Sequence, residues 1–322
     1  MHKVRVGVLR GGPSSQYNIS LQTGDNVLHN LNREKYTPYD ILITLDGTWH
    51  LHGKETLPET VFSVVDVMFN ALHGTYGEDG KVQSLLDTFS VPYTGSQALP
   101  SATGMNKVLT KQALVQLDIK MPQHLVIETP DNIEERAFDI FRNFPQPTVI
   151  KPVIGGLSVG VTLAKTPDEI AEGVRFAFEY AQQVLVEEYI GGKEATCGVV
   201  EQFRGEVLYK LLPVEIIPQK ETGFFDYNAK YNGLHEEHCP GNFTFDEKKE
   251  LERIAGLVHT TLGLYGYSRS DFIVSRRGIY FLETNTLPAL TKIASVPKAL
   301  ETAGCSFPEF LDHIIGLAMA RK

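Results

Sequence analysis

The sequence predicts an α/β protein that opens with a doubly wound parallel sheet and continues as α+β. Two patterns carry this expectation. Over the first hundred residues, strand, turn and helix signals repeat in that order, which implies parallel pairing through crossovers. From residue 184 onward, extended segments follow one another with few helices between them, which implies antiparallel pairing. The length of 322 residues agrees, since roughly 150 residues per domain gives two domains or three small ones.

Residues 4–9 are β-branched and stop at Gly11-Gly12-Pro13, a turn. Residues 20–31 carry Leu21, Val27, Leu28 and Leu31 at helical spacing. Strands are expected at 39–45 and 65–72, with Trp49 in a turn between them at Asp46-Gly47. A loop at 73–80 precedes a short helix at 82–89. A middle segment starts near Ala98, with helices at 106–117, 132–141 and 167–180 and the strand 148–151 before a glycine-rich loop. The last segment opens on a strand at 184–190 and adds extended pieces at 194–200, 207–217, 271–275 and 279–283. Helices at 246–262, with Leu251, Ile254, Ala255 and Val258 at core spacing, and at 307–319 are expected to cover them.

Composition narrows the function. Hydrophobic residues are 42% and charged residues 21%, so the chain is globular. Lys plus Arg number 30 against 39 Asp plus Glu, a net charge of −9, which argues against a nucleic-acid or membrane-surface partner. The cysteines, Cys197, Cys239 and Cys305, are widely spaced with no CxxC pair, so neither a disulfide framework nor a thiolate zinc site is expected. No apolar run approaches the roughly 18 residues of a membrane span. The start, MHKVRVGVLRGG, lacks the apolar core of a signal peptide, so a cytoplasmic location is expected.

The segment from Arg269 to Asn285 is the most informative. Two extended runs flank Arg276-Arg277-Gly278, read as a three-residue hairpin loop with glycine at positive φ. Such a loop pairs Ser275 with Ile279, and counting outward sets Asp271 opposite Glu283, with Asn285 on the same face as Glu283. Facing carboxylates destabilise a sheet unless a cation lies between them. An all-oxygen set without His or Cys favours Mg²⁺ or Mn²⁺. Few protein ligands leave positions for substrate phosphates. The alternative is a polar face whose carboxylates pair with Arg269 or Lys292.

Lys151 ends a strand just before Pro-Val-Ile-Gly-Gly-Leu-Ser-Val-Gly, whose backbone N–H groups can cradle phosphate beside the lysine charge. Neither GxxxxGK[ST] nor GxGxxG is present, and a plain turn explains the loop equally. Lys107, in the first turn of a helix, gains weight only because a metal cluster of this kind needs a nucleotide partner.

In order along the chain, these stretches resemble the D-alanine–D-alanine ligases of the ATP-grasp superfamily. The resemblance rests on Gly11-Gly12 with Ser14, Leu72-His73-Gly74 with Gly77-Glu78-Asp79-Gly80, Lys107, Lys151-Pro152 and Val186-Glu187-Glu188 with Glu194. It continues through Phe225 to Tyr231, Arg269 to Asp271, Glu283-Thr-Asn285-Thr-Leu-Pro288 and Pro297-Lys298. It implies an N-terminal substrate domain (1–97) and two α+β domains (98–183 and 184–322) that sandwich the nucleotide. ATP would be held by Lys107, Lys151, Ser158, Glu187, Glu188, Tyr189, Ile190, Glu194 and Lys230. Two Mg²⁺ or Mn²⁺ would lie on Asp271, Glu283 and Asn285. Arg269, Tyr231, Ser158, Gln16 and Ala289 would serve catalysis, and His73, Gln16, Arg269, Ala289 and Ser295 the amino-acid substrates. The implied reaction makes the peptidoglycan dipeptide through an acyl phosphate, with Lys230 and Tyr231 on a closing loop. A homodimer through the N-terminal domain is also implied.

Four positions depart from the family pattern. Gln16 replaces a glutamate that binds ammonium, Leu157 a serine, Ala289 a glycine, and Ala294 a serine whose role Ser295 could assume. These keep open a ligase joining a different amino acid or hydroxy acid to an amine. A nicotinamide-dependent oxidoreductase is disfavoured because Arg10-Gly-Gly-Pro-Ser lacks the required glycine spacing. A binding module without catalysis would not need Lys151, Arg269 and the carboxylates together.

Overall fold

The computed structural model describes residues 3–156, 158–218 and 235–321. The expected roles of Leu157, Lys230 and Tyr231 fall outside the described residues. Three sheets organise the rest.

The first sheet starts with β1 (Val4–Gly11), followed by helix α1 (Tyr17–Asn30), β2 (Tyr36–Ile43), β3 (Trp49–Leu51), β4 (Lys54–Glu55), α2 (Pro58–Val64) and β5 (Val67–Asn70). Its order is β4-β3-β2-β1-β5, and β1 pairs parallel with both β2 and β5, as the strand–helix alternation predicts. Trp49 departs from expectation. It opens β3, which pairs antiparallel with β2, and its side chain is buried with its ring edge-on to Phe62. A three-residue strand is too short to show an alternating pattern, so only the turn before it is visible in sequence.

Then come α3 (Lys81–Thr88), α4 (Ala98–Met105), α5 (Lys107–Leu114), β6 (His124–Ile127), α6 (Ile133–Asn143), β7 (Thr148–Pro152), β8 (Thr162–Ala164), α7 (Pro167–Phe178) and β9 (Val184–Glu188). Strands β6-β9-β7-β8 form an antiparallel sheet whose core includes Ile140 of α6 and Ile170 and Val174 of α7. The boundary expected at 183/184 therefore falls inside this sheet: β9 is hydrogen-bonded between β6 and β7. Its run Val184-Leu-Val-Glu-Glu is buried throughout. A strand covered on both faces gives no periodic cue to its neighbours.

The third sheet holds β10 (Lys193–Glu201), β11 (Leu208–Lys210), β12 (Val214–Pro218), β13 (His235–His238), β14 (Tyr267–Ser275) and β15 (Gly278–Asn285). Its order is β13-β12-β10-β14-β15, with β11 also on β10 and all pairings antiparallel. The single extended piece expected at 207–217 is two strands, because Pro213 lacks the N–H a continuous ladder needs. Helix α8 (Phe245–Thr261) covers this sheet through Leu251, Ile254, Ala255 and Val258 and starts with a Thr244–Glu247 capping box.

Helices α9 (Ser295–Thr302) and α10 (Phe307–Ala320) end the chain. Helix α10 covers the C-terminal strands as expected, sharing a core with Val200, Val214 and Tyr267. In addition, Phe310, Leu311, Ile314 and Ile315 pack with Val8, Val27 and Phe69 of the N-terminal domain. Helical spacing shows which side is apolar and is silent on what covers it. This core ties the first and last segments together. Phe310→Ala, at a fully buried ring edge-on to Tyr267, should cost about 3–5 kcal/mol, read as a lower urea midpoint.

Candidate active site

The hairpin reaches the expected pairing by a different route. Ser275 pairs with Gly278 across a two-residue loop, Arg276-Arg277, with Gly278 at φ +117°. Val274, Ile273 and Phe272 then pair with Ile279, Tyr280 and Phe281. A register shift between Phe272 and Asp271 lets Leu282 bulge, and Asp271 comes opposite Glu283. The three-residue loop was wrong. The extra residue sits in the bulge, and residue counting fixes only the total.

Asp271 is buried and fully engaged. Its Oδ1 accepts hydrogen bonds from Thr196 Oγ1 (2.6 Å) and Arg269 Nε (2.9 Å), and its Oδ2 from Arg269 Nη2 (2.8 Å) and Asn285 Nδ2 (3.2 Å). The expected Arg269 pairing is thus present, and Lys292 plays no part in it. Glu283 is balanced by Lys107, whose Nζ lies 3.5 Å from Oε2 and donates to the Gly155 carbonyl at 2.8 Å. Asn106 caps the helix that carries Lys107 by accepting from Val108 N and Leu109 N. Burial pushes the Lys107 ammonium below its usual range, and Glu283 partly opposes this.

On the opposite wall Lys151 and Glu187 stand on neighbouring strands, β7 and β9. Lys151 Nζ is 2.6 Å from Glu187 Oε2, and Lys111 Nζ of α5 is 2.8 Å from Glu187 Oε1. Both contacts are ion pairs, so Glu187 shares its carboxylate between two ammonium groups. Burial would raise the Glu187 carboxyl, yet Lys151 and Lys111 together hold it below the ordinary carboxylate range. Glu188 accepts from Arg277 Nη1 at 2.9 Å and from Gln123 N at 3.1 Å, which joins β9 to the hairpin tip. The Glu188 and Tyr189 amides donate to the carbonyls of Gln123 and Pro147.

A cleft of about 220 Å³, open to solvent, lies between the second and third sheets. Of the expected site residues, Lys107, Lys151, Ser158, Glu187, Glu188, Tyr189, Ile190, Glu194, Asp271 and Glu283 line it. A smaller cavity adjoins it, bounded by Lys107, Gly155, Gly156, Glu283 and Asn285 on the cleft side and by Gln16 and Glu78 on the N-terminal side. Gln16 reaches the glycine loop: a methyl group on Gly156 would lie 2.9 Å from its Nε2.

Arg269, His73, Ala289 and Ser295 line neither cavity. Arg269 acts on the site through Asp271. His73 is buried, with Nε2 2.9 Å from Thr23 Oγ1, and burial lowers its pKa to about 4, so the ring is neutral. Ala289 sits on the loop after β15. That loop is tied to the N-terminal domain by Leu287 N→Glu78 Oε1 (3.3 Å), Leu290 N→Thr23 Oγ1 (3.3 Å) and Asn26 Nδ2→Leu290 O (2.8 Å). Ser295 donates to Glu237 Oε1 at 3.0 Å, so its hydroxyl is committed away from the cavities.

Sequence reasoning missed Lys111, Glu78 and Thr196 as site residues. Lys111 is four residues after Lys107, hence on the same helix face, and that spacing could have exposed it. Thr196 left no sequence signal, because its role depends on β10 lying beside β14.

Two antiparallel sheets closing on a cleft, with lysines on one wall and facing carboxylates on the other, define an ATP-grasp enzyme. The relatives of this chain narrow that class to ATP-dependent ligases that form a C–N bond. The family described as D-ala D-ala ligase C-terminus matches residues 113–316, and its N-terminal counterpart matches 5–61 and 53–96. A D-alanine–D-alanine ligase of Syntrophobacter fumaroxidans is 35% identical over 321 residues, covering 98% of both chains. D-alanyl-alanine synthetase A of Vibrio cholerae superposes with a TM-score of 0.87 at 27% identity, covering all of both chains. D-alanine–D-alanine ligase of Bacillus anthracis complexed with ATP gives 0.80 at 29% identity, covering 98% of each. The chain belongs to the D-alanine–D-alanine ligase family. Among the described residues, no helix is long and apolar enough to cross a membrane.

Proposed function

We propose that the chain joins two molecules of D-alanine at the expense of ATP, and that the carrying observation is that the two adjoining cavities share Lys107, Gly155, Gly156 and Glu283 in their walls. The cleft takes ATP, with Lys107 and Lys151 facing its phosphates, Ile190 offering the backbone contact to adenine, and Glu194 the ribose contact. The smaller cavity, which ends at Gln16 and Glu78, takes the first D-alanine with its carboxylate toward Lys107 and Glu283. That carboxylate attacks the γ-phosphorus and ADP leaves. The amine of the second D-alanine then attacks the acyl-phosphate carbonyl, loses a proton and expels phosphate. Positioning and charge stabilisation supply most of the acceleration.

The donor set of Asp271, Glu283 and the Asn285 amide is all oxygen and suits Mg²⁺ or Mn²⁺. Bound there, the ion would neutralise charge building on the transferred phosphoryl group. A guanidinium freed from Asp271 would be Arg269, available for the developing oxyanion.

Gln16 is compatible with this reading through a weaker ammonium contact, since a neutral hydrogen bond contributes about 1 kcal/mol against roughly 1.5–3 for a charge-assisted one. Incubation with ATP, Mg²⁺ and D-alanine should release ADP and D-alanyl-D-alanine in equal amounts. ADP without dipeptide would overturn the assignment.

A further inference from the structure

We propose that Lys111, which lies behind the cleft wall, is a positioning residue that keeps the Lys151 charge available to nucleotide phosphate. The inference rests on the nucleotide occupying the cleft, as set out above. Lys111, Glu187 and Lys151 form a buried row whose side chains are 1%, 3% and 8% exposed. Glu187 stands in the middle, with one carboxylate oxygen on each ammonium. Lys151 and Glu187 line the cleft, whereas Lys111 does not.

Charge counting gives the role. A buried lysine–carboxylate pair is neutral, and its mutual attraction is strong because water is excluded. With Glu187 as its only neighbour, Lys151 would be held to that carboxylate and would present little field to a polyanion. A second buried ammonium on the other oxygen makes the row cationic by one charge. Glu187 is then shared, and Lys151 keeps net positive potential on the cleft side. His124 pairs with Glu187 across β6 and β9, but burial and Lys111 lower its pKa, so it adds no charge at neutral pH. Lys107, the next ammonium along the wall, is already paired with Glu283.

A residue that merely filled space would be replaceable by an uncharged chain of the same length. Lys111→Met tests this, read by calorimetric titration with adenylyl imidodiphosphate and, separately, with adenosine. The ratio of the two affinities isolates the contribution of the phosphates. Removing one charge that is felt through a shared carboxylate should weaken the triphosphate by about tenfold and leave adenosine within about twofold. Lys111→Arg should restore most of the ratio. Lys111→Met with Glu187→Gln returns the row to a single positive charge on Lys151, and the ratio should recover even if adenosine binding shifts.

Equal losses for both ligands in Lys111→Met, or a double variant with a ratio as low as the single one, would overturn the inference. So would an unchanged ratio. Should Lys111→Met fail to fold, the arginine and double variants carry the same comparison. If wild-type protein does not bind the triphosphate at all, the nucleotide reading of the cleft fails instead, and the two failures are distinct.

Discussion

Asp271→Asn is expected to lower kcat/KM for ATP on the order of 10³-fold, the scale set by losing one preorganised charge contact to a transferring group. Asparagine keeps one acceptor oxygen for Thr196 or Arg269 and removes the negative charge. Three consequences separate this effect from simple unfolding. Mn²⁺ binding in the presence of ATP, followed by electron paramagnetic resonance, should weaken at least tenfold. Adenosine affinity should hold, because Asp271 faces the phosphate end of the cleft. Stability should fall by about 3 kcal/mol, because Arg269 loses the carboxylate that grips it twice. Adding Arg269→Gln removes the stranded charge and should recover much of the stability without recovering activity. A double variant as active as wild type would mean that neither side chain serves the reaction.

The parts of this site legible in sequence are those fixed by short spacing. The Arg276-Arg277-Gly278 turn and two extended runs were enough to place Asp271 across from Glu283, although the true path uses a tighter loop and a bulge. Lys151 before the glycine loop was likewise visible, because strand end and loop are contiguous. What escaped depends on contacts between distant elements. Glu187 appeared as one of two adjacent acids, and nothing local shows that one faces two lysines while the other faces Arg277. Glu78 lies in a loop that is legible by composition, yet its hold on Leu287 spans 209 positions. Ser295 misled for a related reason. It adjoins Ala294 in sequence, but the start of α9 turns its hydroxyl toward Glu237.

His73 and Glu78 should cancel each other in the pH dependence of stability, and single variants should uncover the two opposed slopes. Burial lowers His73 from 6.5 to about 4, with the Leu287 backbone opposing and Arg269 assisting. Between those values the unfolded chain binds the proton and the folded one does not, so stability is lost as pH falls from 6.5 toward 4. Burial raises Glu78 from 4.5 to about 7, while Gly74 N, Leu287 N and Arg269 pull it down and Glu283 pushes it up. Here the folded chain holds the proton, so stability is lost as pH rises from 4.5 toward 7. Each slope is at most about 1.4 kcal/mol per pH unit, and that of Glu78 is the smaller because its carboxyl borders the second cavity. The two overlap from 4.5 to 6.5, where wild type should show little dependence from this pair. His73→Gln should then grow less stable as pH rises through that window, and Glu78→Gln more stable. Urea unfolding at three pH values, followed by the fluorescence of Trp49, the chain's one tryptophan, reads both slopes. Parallel profiles for the two variants would show that these groups do not titrate against each other. Both groups flank the Leu287 segment and both sense the charge of Arg269. The proton balance of the N-terminal loop is therefore linked to the seat of the loop that carries Ala289.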